Sequence, residues 1–155
     1  MILLEVLGDP IPLNRPKVCR RGSFVHMYDP QKMEKERIQW QIRSLYKETP
    51  ILFPIEMDIV FAVPIPKSAS KVKRRYMLQG DLYPMKKPDI DNLIKFILDC
   101  LNGILFHDDS QVQIIHARKV YSDSPRTIIR AICIEEKNKK IHDANIEASN
   151  ESDSQ

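Results

Sequence analysis

Apolar and polar positions fall into distinct periodic stretches along the chain. Ile2-Leu3-Leu4-Glu5-Val6-Leu7 has the composition of a strand and is ended by Gly8, Asp9, Pro10 and Pro12. Residues 31–48 set Ile38, Ile42, Leu45 and Tyr46 at helical spacing among charged side chains, with Pro50 as the stop, which predicts an amphipathic helix. Ile55, Met57, Ile59, Phe61 and Val63 alternate with Glu56, Asp58, Val60 and Ala62, the period of a half-buried strand, and Pro64 and Pro66 end it. Over residues 90–101, Ile90, Leu93, Ile94, Ile97, Leu98 and Leu101 line one side of a strongly predicted helix, with Gly103 as its C-terminal stop. Strands are expected over 112–121 and 127–135, joined by the turn Ser122-Asp123-Ser124-Pro125.

Between these elements, residues 13–30 read as a basic loop carrying Phe24 and Tyr28, and residues 67–87 as a Lys/Arg-rich surface loop or short helix. Residues 137–155 are polar, lack aromatic anchors and are expected to be disordered. The sum is an α+β fold, a small mixed sheet of about four strands with two main helices. It forms one domain over 1–136, followed by an acidic tail over 137–155. A hydrophobic content of 43% in 155 residues suffices for one core.

No apolar run approaches the roughly 20 residues of a bilayer span, and the N-terminus lacks the pattern of a secretory signal, so a soluble cytoplasmic protein is expected. Cys19, Cys100 and Cys133 form no CxxC pair, and Cys100 and Cys133 read as buried apolar thiols. His26, His107, His116 and His142 lack zinc-site spacing. His107, beside Asp108, reads as a surface residue before a proton donor. Trp40 reads as a core or dimer contact before a base-stacking platform. With only four glycines, a phosphate-cradling loop is hard to build.

The net charge of +3 is unevenly spread. Residues 141–155 hold Asp143, Glu147, Glu151 and Asp153 and no Lys or Arg. Positive charge gathers at Arg15, Lys17, Arg20, Arg21 and Lys32, and again at Lys67, Lys71, Lys73, Arg74, Arg75, Lys86 and Lys87. Such local excess attracts polyanions by counterion release, although scattered surface lysines are also common in proteins that bind none.

Asp89, Asp91, Asp99, Asp108 and Asp109 lie within twenty-one positions of each other. Asp91, Lys95, Asp99 and Asn102 share one polar stripe of the 90–101 helix. Clustered carboxylates beside a lysine suit a hard divalent cation near a phosphate. The plainer alternative makes Asp89 an N-cap and Asp91–Lys95 an exposed ion pair worth roughly 0.3–0.5 kcal/mol. It leaves Asp108 and Asp109 unexplained. Asp109 approaches the first turn of the helix only if the segment after Gly103 runs back along it, a span of about 18 Å for twelve helical residues.

The run Lys87-Pro88-Asp89-Ile90-Asp91-Asn92-Leu93-Ile94-Lys95, then Leu98-Asp99-Cys100-Leu101-Asn102-Gly103, then Phe106-His107-Asp108-Asp109-Ser110-Gln111-Val112, closely resembles the signature of the RusA-type Holliday junction resolvases. Pro10-Ile11-Pro12, Arg15-Pro16, the Tyr28 segment and Lys119 extend the resemblance over residues 1–136. It implies a homodimeric, phage- or prophage-associated endodeoxyribonuclease of recombination and repair. Such an enzyme cuts four-way DNA junctions by paired symmetric nicks with Mg²⁺, for which Mn²⁺ can substitute. By position it carries over Asp89, Asp91, Lys95 and Asp109 as catalytic, with Asp89, Asp91 and Asp109 on the metal and Asp108 and Asp99 as weaker acidic matches. Phosphates would face Arg15, Lys17, Arg20, Arg21, Lys73, Arg74, Arg75, Lys86 and Lys87. The basic 67–87 stretch, expanded relative to the shortest members, and the acidic tail depart from the pattern and bear on substrate geometry. The alternatives are a non-catalytic architectural DNA-binding dimer and a broader branched-DNA or flap nuclease. A haloacid-dehalogenase-like phosphatase fits less well, because its DxD follows an apolar strand and here Lys86-Lys87-Pro88 precedes the pair.

Overall fold

The computed structural model describes residues 1–15 and 17–134. Along the chain the elements are β1 (Ile2–Leu7), β2 (Lys17–Arg21), β3 (Phe24–Tyr28), α1 (Lys32–Leu45), β4 (Ile55–Pro64), α2 (Lys71–Gln79), α3 (Ile90–Leu101), β5 (Val112–Ser122) and β6 (Arg126–Cys133). Four strands make one mixed sheet in the order β1-β6-β4-β5, in which only β4 and β5 are parallel. A parallel pair needs a crossover connection, and α2 and α3 lie within it.

The alternation read in β4 is realised side by side. Ile55, Met57, Ile59, Phe61 and Val63 are buried, the first four against Ile38 and Ile42 of α1 and Leu93, Phe96, Ile97, Cys100 and Leu101 of α3. The other face of β4 is mixed, with Glu56 and Asp58 beside the half-buried Val60. There Asp58 accepts from Arg130 at 2.9 Å and from Arg118 at 3.3 Å, which ties three neighbouring strands together. Burial pushes the Cys100 thiol up to about 12, so it stays a neutral apolar filler.

Several expectations are corrected. The basic loop over 13–30 contains an antiparallel hairpin, β2–β3, in the register Arg21↔Phe24. Its two-residue turn opens with Gly22 at φ 64°, a conformation that favours glycine. The ambiguous stretch at 67–87 contains α2, which Ser70 caps at its N-terminus by accepting from the Lys73 N–H at 3.3 Å and Gly80 closes at φ 83°. Trp40 is 75% exposed and is no core residue, because it lies on the face of α1 turned away from Ile38 and Ile42. Cys133 is only half-buried. The expected end of the last strand at Glu135 and the acidic tail lie outside the described residues.

Candidate active site

The two acids of the DxD pair stand at the start of α3. Asp89 occupies the N-cap position with extended backbone, and its carbonyl accepts from Leu93 N–H at 3.2 Å. Its side chain makes no capping hydrogen bond among the described residues, unlike an ordinary aspartate N-cap. Asp91 follows in the first turn, where the positive end of the helix dipole favours negative charge. The Lys95 ammonium lies 3.7 Å from the Asp91 carboxylate, and both side chains are more than 60% exposed, so the pair is loose and open to solvent.

Two neighbouring segments hold this helix end. Lys119 of β5 donates from Nζ to the carbonyls of Lys86, at 3.0 Å, and Pro88, at 2.9 Å, and so anchors the approach to Asp89, which includes a cis Lys87–Pro88 peptide. On the other side the Leu13 N–H donates to the Asn92 carbonyl at 2.9 Å. Gln31, only 4% exposed, stiffens that second segment. Its Oε1 accepts from Asn14 N–H at 2.7 Å and its Nε2 donates to the Pro12 carbonyl at 2.8 Å. Pro12, Asn14, Lys87, Pro88, Asp89 and Asn92 line an open concavity of about 420 Å³. No pattern along the chain singles out Gln31 or Asn14, whose importance arises only from chain segments meeting in space. Asn92 stands within the motif and Lys119 matches by position, but neither spacing nor residue type reveals what they hold.

Asp109 does not join this group within one chain. The segment after α3 does not run back along the helix, because it folds on itself at the helix's C-terminal end. There Gly103 N–H donates to Phe106 O at 2.7 Å, and Phe106 bridges to Ile51 and Asn102. Asp109 then starts a turn of 3-10 helix, Asp109–Gln111, just before β5. Asp89 lies beside Lys119, seven residues further along that strand, so the two ends are separated by about 20 Å. Among the described residues no group of three or more His, Cys, Asp or Glu lies close enough to hold one metal ion. Asp89, Asp91 and Asp109 of a single chain form no such group among the described residues.

Asp108 has a structural task. It caps the 3-10 turn by accepting from Ser110 N–H at 2.9 Å, and the Gln111 side chain accepts in return from the Asp108 N–H at 3.1 Å. The hydrogen bonds from Ser110 hold the Asp108 carboxyl below its usual value. Asp99 is also engaged: Lys35 of α1 donates to it at 3.1 Å and to Asp29 at 2.9 Å. Burial opposes the charge on Lys35, but the two carboxylates outweigh it and raise its pKa. Neither acid therefore extends the Asp89–Asp91 pair.

The basic residues cluster in part. Lys73, Arg74 and Arg75 are exposed along α2, and Lys86 and Lys87 are exposed on the approach to Asp89. The Arg75 guanidinium sits 5.8 Å from the centre of the Tyr76 ring. Arg15 is exposed between β1 and β2. Lys17, Arg20 and Arg21 fall on β2, but their side chains lie outside the described part.

The model of the Endodeoxyribonuclease RusA family matches residues 8–132. The chain is also 38% identical over 129 residues to the uncharacterized protein YqaN of Bacillus subtilis (strain 168), covering 81% of this chain and 91% of that protein. No helix among the described residues is long and apolar enough to cross a membrane. With the DxD pair at the head of α3, the sheet behind it and a family match over residues 8–132, the chain belongs to the RusA family of endodeoxyribonucleases.

Proposed function

We propose that this protein is a Mg²⁺-dependent endonuclease that resolves four-way DNA junctions, acting as a homodimer. The observation that carries the reading is the Asp89 carboxylate, which stands at an N-cap without capping, next to Asp91 and over an open concavity. Hard, exposed oxygen donors of this kind fit Mg²⁺, which keeps several waters and needs only a few carboxylates. Bound there, Mg²⁺ would neutralise charge on the scissile phosphate and act as a Lewis acid.

The chain's own residues divide the remaining work. Asp89 and Asp91 would hold the cation from one subunit. Since Asp109 sits at the opposite end of α3, the third acid would be Asp109 of the partner subunit. Lys95 is a compact cation that orients the phosphate or offsets its developing charge. Lys119 keeps the 86–88 segment in place, and the α2 cations grip backbone phosphates on either side. In-line attack by water then leaves a 5′-phosphate and a 3′-hydroxyl. A two-fold dimer would present two such sites to the two equivalent strands of a junction and so make paired symmetric nicks.

The test is incubation of the purified protein with a mobile four-way junction, a linear duplex and a flap, each with and without Mg²⁺. Selective, Mg²⁺-dependent cutting of the junction is expected. Junction binding without cleavage under any metal would favour the architectural alternative, and equal cutting of the flap would favour the broader nuclease.

A further inference from the structure

Lys87 and Pro88 form a wall shared by two concavities, the one that holds Asp89 and a second of about 200 Å³. The second is floored by Pro64, Pro66, Pro84, Pro88 and Tyr121, with Lys86, Lys87 and Lys119 around it. It opens at the C-terminal ends of β4 and β5. The crevice outside the carboxyl ends of parallel strands is a recurrent ligand position in open α/β sheets, and β4 and β5 are the parallel pair of this mixed sheet.

We infer that this pocket receives one unstacked nucleobase of the strand whose backbone passes Asp89, an inference that rests on the function proposed above. The tyrosine ring offers a flat apolar surface against which any base can stack without demanding particular hydrogen bonds, and the pyrrolidine rings add apolar contact around it. Four proline rings make the pocket stiff before binding, so little ordering accompanies entry. The volume is below the roughly 300–1,000 Å³ of sites for drug-sized ligands, which suits a single ring system and not a base pair. The exposed Lys86 and Lys87 beside it match the phosphates that flank such a base. Because Pro88 precedes Asp89 directly, base and scissile phosphate belong to the same or adjacent nucleotides. Branched DNA, whose bases unstack most readily at the crossover, would thereby be favoured over continuous duplex.

The test uses four-way junctions carrying a single abasic residue at each nucleotide flanking the cleavage point, with single-turnover cleavage measured for the wild type, Tyr121→Ala and Tyr121→Phe. One abasic position is expected to slow the wild type about tenfold, equivalent to about 1.4 kcal/mol. The same position should cost Tyr121→Ala little, while Tyr121→Phe, which keeps the ring, should retain the penalty. A wild-type profile flat at every position, or a penalty unchanged in Tyr121→Ala, overturns the pocket assignment. The wild-type scan decides even if Tyr121→Ala does not fold. A wild type that cuts no branched DNA would remove the proposed function and this inference together, whereas a cutting enzyme with a flat profile removes the inference alone.

Discussion

The ammonium of Lys119 and the carbonyl of Pro88 are 2.9 Å apart, so the residue immediately before Asp89 is tied directly to the sheet. A second bond to the Lys86 carbonyl at 3.0 Å makes the attachment two-pronged. Groups that hold a metal ligand in place matter nearly as much as the ligand itself.

Replacing Lys119 by Met should therefore raise the Mg²⁺ concentration needed for half-maximal cleavage by about 10–100-fold. Junction binding measured without metal should change little. A variant with unchanged Mg²⁺ dependence would exclude this positioning role.

Asp108 and Asp109 are neighbours with separable tasks. Asp108→Ala should lower thermal stability through loss of the cap and leave junction cleavage in place. Asp109→Asn should do the reverse, cutting cleavage by on the order of 10²–10³ at unchanged melting temperature. Unfolding curves and cleavage rates on the two proteins decide it.

Complementation tests the shared site. Asp91→Asn and Asp109→Asn proteins should each be inactive. If each site combines Asp89 and Asp91 of one subunit with Asp109 of the partner subunit, a mixed dimer rebuilds one intact site of two, and mixing should restore single nicks. A mixture that dimerises and stays silent would overturn the sharing of Asp109 between subunits.

The Lys35 bridge predicts how stability responds to pH. Hydrogen bonds from Lys35 and Gln31 hold the Asp29 carboxyl below its usual 3.8, so its contribution is present above that value and lost as pH falls through the lowered one. Lys35 is raised above 10.5, so its contribution is complete below that value and lost as pH climbs through the raised one. Lys35→Met should cost about 1 kcal/mol at neutral pH and flatten both flanks. Urea titrations across pH provide the check.

Binding to junctions should weaken steeply with salt. Converting Lys73, Arg74 and Arg75 to Ala should reduce the slope of log K against log salt by up to about three, nearly one for each phosphate no longer neutralised. A slope identical to wild type would remove α2 from the DNA face.

The chain's local chemistry announced much of this. The periods of two in β4 and 3.6 in α3 record how side chains leave a strand and a helix, and those geometries are set within a few residues. The DxD pair and Lys95 were legible for the same reason, since they lie at the N-cap and in the first two turns of one helix. The β2–β3 hairpin is hidden in the sequence because a short ribbon outside the main sheet carries no sustained apolar stripe, only Gly22 at its turn.

The sequence alone determined β1, α1, β4, α3, β5 and β6, the family motif and the acidic and basic residue types, because each is a matter of local order along the chain. Only the tertiary structure decided which of five similar aspartates are engaged. Asp99 is held by Lys35, sixty-four positions away. Asp108 closes a turn. Asp109 is carried to the far end of α3 by a fold-back at Gly103. Asp89 is left over an open concavity whose walls come from the 87–88 approach, tied to β5, and the β1–β2 connection. Hydrogen bonds and ion pairs form between whatever the packed core brings within about 3 Å, and that distance is not written in any spacing of residues.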